Sequence, residues 1–265
     1  MCRISVLVIT KNEAANISAC LETVTWADEI VVVDSGSTDE TVTLARKYTP
    51  LVFSTKWRGY SGTKQWGLEK TTGEWVFWLD ADERVSPKLA EEIRAAVRQA
   101  KEIDGFLLPR CAFFLGRWIK HSGWYPGYVL RLIRREQARF CASRVHEYLE
   151  PPSNVAKLKT PLLHFTDRTI FHYFEKFNTY TSLAAEDLLE KGKKFHVFDL
   201  LLRPVHVFCK MYIFKLGFLD GFQGFLLAVF SSMYVFTKYA KLWELQRMKA
   251  DSIEYPDNRL NSDQL

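Results

Sequence analysis

Three times in its N-terminal third the chain passes from a short, β-branched apolar run directly into polar residues. Ile4-Ser-Val-Leu-Val-Ile9 leads into Thr10-Lys-Asn-Glu13, Glu29-Ile-Val-Val-Val33 into Asp34-Ser-Gly-Ser-Thr38-Asp39, and Trp75-Val-Phe-Trp-Leu79 into Asp80-Ala-Asp82-Glu83. Helix-like stretches separate them, one from Ala14 to Val24 and one continuing through Leu44, Ala45 and Tyr48. Ser37 or Thr38 is expected to cap the second helix, with Asp39 and Glu40 in its first turn. Buried strands alternating with amphipathic helices predict an α/β fold with a mostly parallel sheet covered on both faces. Ligands bind such sheets outside the carboxyl ends of the strands. Thr10 to Glu13, Asp34 and Asp80 to Glu83 are therefore expected to line one crevice.

The third run carries the most chemistry. Residues two apart on an extended backbone point the same way, so Asp80 and Asp82 are expected to converge. Paired carboxylates at a strand end make a hard oxygen site suited to Mg2+ or Mn2+. The plainer alternative is that these acids solvate the end of a strand and open the next helix, for which Ser86-Pro87 is a plausible start.

Taken together, Val6-Leu-Val-Ile-Thr-Lys-Asn-Glu13, Val31-Val-Val-Asp-Ser-Gly-Ser-Thr-Asp39 and Leu79-Asp-Ala-Asp-Glu83 resemble, in order and spacing, the signatures of family 2 glycosyltransferases. The resemblance implies a GT-A fold, with a nucleotide-binding half and an acceptor half. It also implies that Thr10, Asn12, Glu13 and Asp34 hold the nucleoside end of a sugar nucleotide, and that Asp80 and Asp82 hold a divalent ion on its diphosphate. Ser35 stands where many members carry a second Asp. Lys64-Gln65, in Gly59-Tyr-Ser-Gly-Thr-Lys64-Gln65-Trp-Gly67, stands where many carry Arg-Asn, and Lys64 is read as a cation for the diphosphate on a glycine-rich loop. The other reading is a solvated lysine.

Further along, Gly123-Trp124-Tyr125-Pro126, Leu130-Arg131-Leu-Ile-Arg134-Arg135 and Arg144-Val-His146-Glu147 resemble the lipopolysaccharide inner-core β-glucosyltransferases. That resemblance implies UDP-glucose as donor and a heptose as acceptor, with Trp124, Tyr125, Arg131, Arg134 and His146 on the acceptor side. Making a β-linkage from an α-linked donor requires a base for the acceptor hydroxyl. Glu147 is the candidate base, with Asp82 and Glu83 as competitors and a salt bridge to Arg144 as the bland alternative. His164, after an apolar Leu-Leu pair, is either a core histidine with one hydrogen bond or a further metal ligand.

A GT-A domain is expected over residues 1–168, its halves meeting near 110, then a helical membrane-associating region over 169–247 and a polar tail over 248–265. Leu216 to Thr237 is long enough to span a bilayer, but Asp220 and Gln223 would be costly at depth, so an in-plane amphipathic helix pair fits Phe195 to Trp243 better. The competing reading is a helical cap on the core or a dimer interface. The net charge of +5 favours an anionic membrane surface. Scattered Cys2, Cys20, Cys111, Cys141 and Cys209, and a strand starting almost at Met1, predict reduced thiols in a cytoplasmic compartment, and the lipopolysaccharide resemblance places the expected helical region at the cytoplasmic face of the bacterial inner membrane. The expected partners are a nucleotide sugar, a lipid-anchored saccharide and that membrane, with no nucleic acid. Two rivals are a polyprenyl-phosphate glycosyltransferase and a non-catalytic sugar-nucleotide binder. A dinucleotide oxidoreductase is disfavoured, since no Gly-x-Gly-x-x-Gly follows the first strand.

Overall fold

The computed structural model describes residues 3–141, 148–167 and 169–251. The N-terminal elements are β1 (Ile4–Thr10), α1 (Ile17–Glu22), β2 (Glu29–Asp34), α2 (Thr41–Ala45), β3 (Val52–Ser54), α3 (Gly59–Leu68) and β4 (Trp75–Asp80). Then come β5 (Glu83–Arg84), α4 (Pro87–Gln99), β6 (Gly105–Phe114), β7 (Arg117–Ile119), β8 (Gly127–Arg134), β9 (Phe140–Cys141), β10 (Tyr148–Leu149), β11 (Val155–Lys157) and β12 (Leu162–Asp167). Three long helices follow, α5 (Ile170–Glu190), α6 (Val197–Cys209) and α7 (Gly221–Asp251).

The main sheet has the order β3-β2-β1-β4-β8-β6-β12-β5, with β7 and β11 also paired to β6. Strands β3, β2, β1 and β4 run parallel, β8 is antiparallel to both β4 and β6, and β12 returns parallel to β6. This is the mixed, mostly parallel sheet with flanking helices that the sequence predicts. From β1 the chain moves outward through β2 and β3, then crosses to place β4 on the other side of β1. That reversal opens a crevice beyond the carboxyl ends of β1 and β4. The register sets Ile9 opposite Asp80 and Thr10 opposite Asp34, so the three polar strand ends lie side by side.

The unbroken apolar runs follow from burial on both faces. Val6, Val8, Val32, Phe77 and Leu79 pack with Ile17 and Leu21 of α1 and Leu89, Ile93 and Val97 of α4. Leu7, Val31, Val33, Val76 and Trp78 pack on the other face with Leu68 of α3. Gly67 lets α3 approach closely, because a Cβ there would sit 2.8 Å from Leu7 Cδ1 and 3.0 Å from Val33 Cγ2.

Some local expectations need correction. Helix α1 is shorter than Ala14–Val24, and α2 begins only at Thr41 with no side-chain cap from Ser37 or Thr38. Asp39 serves its first turn instead, accepting from the Thr41 and Ala14 amides. Lys64 sits on helix α3 and not on a loop. Ser86 does cap α4, its hydroxyl accepting from the Leu89 amide at 3.2 Å with Pro87 in the first turn.

At the C-terminus the apolar run is broken into pieces. A π-helical turn at Lys210–Phe214 and a 3-10 turn at Gly217–Asp220 separate α6 from α7, and Leu216 and Gly221 take positive φ of 55° and 67°. Helix α7 packs against α5 and α6 through Phe230, Tyr239 and Leu242 among others. It continues to Asp251, past the position where a polar tail is predicted.

Candidate active site

The site forms where β4 stops. Ala81 and Asp82 make a turn, so the strand alternation that would aim Asp82 beside Asp80 does not continue. Glu83 folds back instead. Its carboxylate accepts from the Asp80 amide at 3.1 Å and from Arg131 Nη2 at 2.6 Å. The same Nη2 donates to Asp80 Oδ2 at 2.6 Å, while Lys64 Nζ lies 3.3 Å from Asp80 Oδ1. Both cations lie against Trp78, whose ring centroid is 3.6 Å from Arg131 Cζ and 3.9 Å from Lys64 Nζ. Nε and Nη1 of Arg131 are buried without a hydrogen-bond partner among the described residues, and the indole face substitutes for acceptors. Arg84 pins the turn, donating to the carbonyls of Ala81 and Glu83 at 2.8 Å each and to that of Asn16 at 3.0 Å.

Two carboxylates sharing one guanidinium do not titrate alike. Burial raises Asp80, but the adjacent Arg131 and Lys64 outweigh it and hold its carboxyl well below the usual carboxylate range. Glu83 is fully enclosed, and there burial wins over Arg131 and pushes its carboxyl up. Below them Cys20 donates to the Asp80 carbonyl, its thiol pushed up to about 12 by burial.

Asp82 takes a separate place. Its Oδ2 lies 3.3 Å from His164 Nε2, and its Oδ1 is buried with no hydrogen-bond partner among the described residues. Glu13 lies within its field; burial raises the Glu13 carboxyl, against a 2.7 Å hydrogen bond from Asn16. The Thr10 hydroxyl, at the end of β1, is likewise buried and unpartnered among the described residues. The unpartnered Asp82 oxygen and the His164 nitrogen form an O/N pair of a kind a divalent ion takes, although no group of three or more His, Cys, Asp or Glu side chains placed to hold a metal occurs among the described residues. Asp80 fits less well than the sequence suggests, because a third cation there would meet Lys64 and Arg131.

The first two loops are stapled together. Asn12, at φ 55°, donates its amide to Ser37 Oγ and accepts the Thr38 amide on its side chain, both at 2.8 Å. Asp34 is buried and accepts from the Gly36 and Ser37 amides at 3.1 Å each.

Thr10, Glu13, Lys64, Asp80, Asp82, Arg131 and His164 thus come together around one strand end. Several other predicted residues do not join them. Arg134 lies opposite Trp75, at the amino end of β4, bound to Glu74, Asp104 and the Ala100 carbonyl, away from the strand-end crevice. Arg131 is enclosed and committed to Asp80 and Glu83, so it orders the site and does not reach an acceptor. Gln65 accepts from the Phe140 amide at 3.0 Å and braces β9. Trp124 packs edge-on against Phe114, and Tyr125 beside it is half-buried ahead of a cis Pro126, in the loop between β7 and β8. His146 and Glu147 lie outside the described residues. The sequence reading missed Trp78, although Trp78 and Asp80 share one face of β4, and it missed Arg110, whose Nη1 stands 3.9 Å from Glu83.

The crevice at the switch point thus carries strand-end acids, two cations clamped on Trp78 and the Asp82–His164 pair. Residues 5–148 match glycosyl transferase family 2, and the chain belongs to that family. It is similar to the lipopolysaccharide core biosynthesis glycosyltransferase LpsC of Rhizobium meliloti, with 34% identity over 93% of this chain and 94% of that one. An uncharacterized glycosyltransferase of Rickettsia typhi is 31% identical over 98% of this chain and 93% of its own. Among solved structures, the glucosyl-3-phosphoglycerate synthase of Mycobacterium tuberculosis, in complex with Mn2+, UDP and glucosyl-3-phosphoglycerate, aligns with TM-score 0.49 and 19% identity over 73% of this chain and 81% of that one. S. aureus TarS aligns with TM-score 0.47 and 15% identity over 96% and 93%. The protein is a family 2 glycosyltransferase.

Proposed function

We propose that this glycosyltransferase moves glucose, with inversion, from UDP-glucose onto a heptose of the lipopolysaccharide inner core at the cytoplasmic face of the bacterial inner membrane. The observation that carries the reading is the sorting of three acids at the end of β4. Asp80 is tied to two cations, Glu83 is sealed behind it, and Asp82 keeps an open oxygen beside His164. Likeness to the Rhizobium meliloti protein over nearly the whole chain supports the acceptor class.

In this reading Asp82 and His164 hold a divalent ion, Mg2+ or Mn2+, which when bound neutralises charge on the donor's diphosphate. The hydroxyl of Thr10 and the loops carrying Asn12, Glu13 and Asp34 receive the nucleoside. Arg131 and Trp78 keep Asp80 ionised and in place to accept hydrogen bonds from donor hydroxyls, while Lys64 adds positive charge on that side. Trp124 and Tyr125 belong to the acceptor side. Asp82 is a poor base if it ligates an ion, so proton removal falls to Glu147. Glu147→Gln should lower turnover roughly 100-fold or more with donor affinity unchanged.

The test is transfer from a panel of nucleotide sugars to core oligosaccharide acceptors, with and without chelator. Asp82→Asn should reduce turnover at least about 100-fold and remove the metal dependence of nucleotide binding. Full activity in excess chelator would exclude the metal, and preference for a polyprenyl phosphate would replace the acceptor.

A further inference from the structure

Among the described residues a run of exposed apolar side chains lies outside the active site. Along α6, Phe198, Leu201, Leu202 and Val205 follow the i, i+3, i+4, i+7 spacing of one helical face. They point away from the protein, with Phe198 70% and Leu202 62% exposed. The inner face is separate: Leu200 packs with Tyr239 and Leu242 of α7, and the Pro204 carbonyl accepts from Ser232. Beyond α6 the exposed apolar surface continues through Ile213, Phe214, Leu216, Phe218, Leu219 and Phe222, with Phe214 77% and Phe222 69% exposed. Contiguous exposed Phe and Leu on this scale mark an interaction surface and not ordinary solvent-facing structure.

Charge decides what covers it. Residues 191–222 contain six Lys or Arg and two acids. Neither acid is open: Asp199 is paired with Lys193 and Arg203, and Asp220 is buried. Arg203 is engaged by Asp199, but Lys194, Lys210 and Lys215 are exposed along the apolar stripe and at its two ends and form a basic row beside it. A second copy of the chain meeting this face about a two-fold axis would bring two such rows together. An anionic lipid surface takes both the apolar stripe and the basic row.

The surface is fastened to the acceptor loop. Asp220 accepts from the amides of Lys120 and His121 and faces the His121 ring nitrogen at 2.9 Å. The Ser122 amide donates to the Lys215 carbonyl at 2.9 Å, and a Cβ on Gly217 would fall 2.6 Å from Ser122 Oγ, so the two segments are in direct contact. Trp124 and Tyr125 follow immediately. Gly217–Lys249 is long and apolar enough to cross a membrane by length and composition alone. One face of it is tied to α5: Leu227 and Phe230 pack with Tyr173 and Phe174, and Lys241 Nζ reaches the Asn178, Thr181 and Ser182 oxygens, while Phe225, Met233 and Phe236 on the other side stay exposed.

We infer that the outer face of α6 and the 213–222 hairpin form one in-plane docking surface for an anionic lipid bilayer, rigidly joined to the acceptor loop. Helix α7 backs this platform through its contacts with α5 and α6 and does not cross the bilayer. The inference deepens the proposed function, since it rests on an acceptor confined to a membrane, but the surface itself is testable without any acceptor.

The experiment measures sedimentation of the full-length protein with phosphatidylcholine vesicles, with and without phosphatidylglycerol. The wild type should bind the mixed vesicles more tightly, and salt should weaken that binding without abolishing it. Phe198→Ser, Leu202→Ser and Phe214→Ser combined should lower vesicle affinity about 100-fold or more, with the melting temperature and transfer to a delipidated acceptor fragment unchanged. Lys194→Glu with Lys210→Glu should cost about 10-fold or more on the anionic vesicles and leave weak binding to phosphatidylcholine unchanged. Vesicle binding by the triple variant equal to wild type would overturn the inference. So would a dimer in sedimentation velocity that the same three substitutions dissolve. If the wild type docked through these residues yet glycosylated no core acceptor, the docking surface would stand and the acceptor assignment would fall.

Discussion

Arg131 is the residue on which the site's order depends. It is enclosed, and one of its nitrogens serves two carboxylates 2.6 Å away. Removing it leaves Glu83 buried without its counter-charge, so Arg131→Met should cost about 3–5 kcal/mol of stability by urea denaturation. Adding Glu83→Gln should recover part of that loss, because the stranded charge goes with it. The pH dependence has a definite sign. The Glu83 carboxyl is raised in the fold, so the native state holds its proton longer than the unfolded chain does. Stability from this group is full below the unfolded value of about 4.3 and is lost as pH rises through the folded value. Glu83→Gln should therefore flatten stability against pH above that point. Asp80 is shifted the other way, so its contribution holds above its unfolded value and is lost only as pH falls toward a folded value well below it. Asp80 and Asp82 stood out in the sequence because paired strand-end acids have few other uses, whereas His164 read first as a core histidine and only the pairing of β12 with β5 brings it beside Asp82. The sequence could not show that Arg131 faces inward. That depends on β8 running antiparallel beside β4, a pairing that sets Trp75 opposite Arg134 and Phe77 opposite Leu132, residues far apart in the chain.

At the scale of elements, local signals were legible where they were self-contained. Ser86-Pro87 opens α4 because cap and ring both act within one turn, and Ser86→Ala should cost about 1 kcal/mol, read as a shift in the urea midpoint. The reading of Lys64 as part of a loop failed for a tertiary reason. Glycines at 59, 62 and 67 look like loop residues, yet α3 forms because packing of Trp66 and Leu68 on the sheet outweighs their weak helix propensity. Gly67 is there for contact distance. Gly67→Ala should push α3 off Leu7 and Val33, cost about 1–3 kcal/mol, and weaken nucleotide binding by moving Lys64. The same substitution at the exposed Gly192 would meet no neighbouring atom, although its φ of 69° makes any side chain there strained.

For the molecule as a whole, the α/β plan was readable from the three strand ends, whereas the helical platform was readable only as composition. Asp220 looked like an obstacle to membrane burial; in the fold it is the clasp between α7 and the β7–β8 loop. That clasp joins residues 99 apart in the chain. Ribosomes add roughly 5–20 residues per second, so about 5–20 s separate the emergence of His121 from that of its partner. The donor half, complete well before then, should bind nucleotide while the acceptor loop is still unset. Nascent chains stalled before Asp220 should protect the N-terminal half from protease and leave the 117–126 segment cleavable, whereas chains released after α7 should protect both. Synthesis itself would then keep the enzyme idle until its C-terminal helices have been made, and no sugar would be transferred by a chain whose Asp220 had not yet closed on the β7–β8 loop.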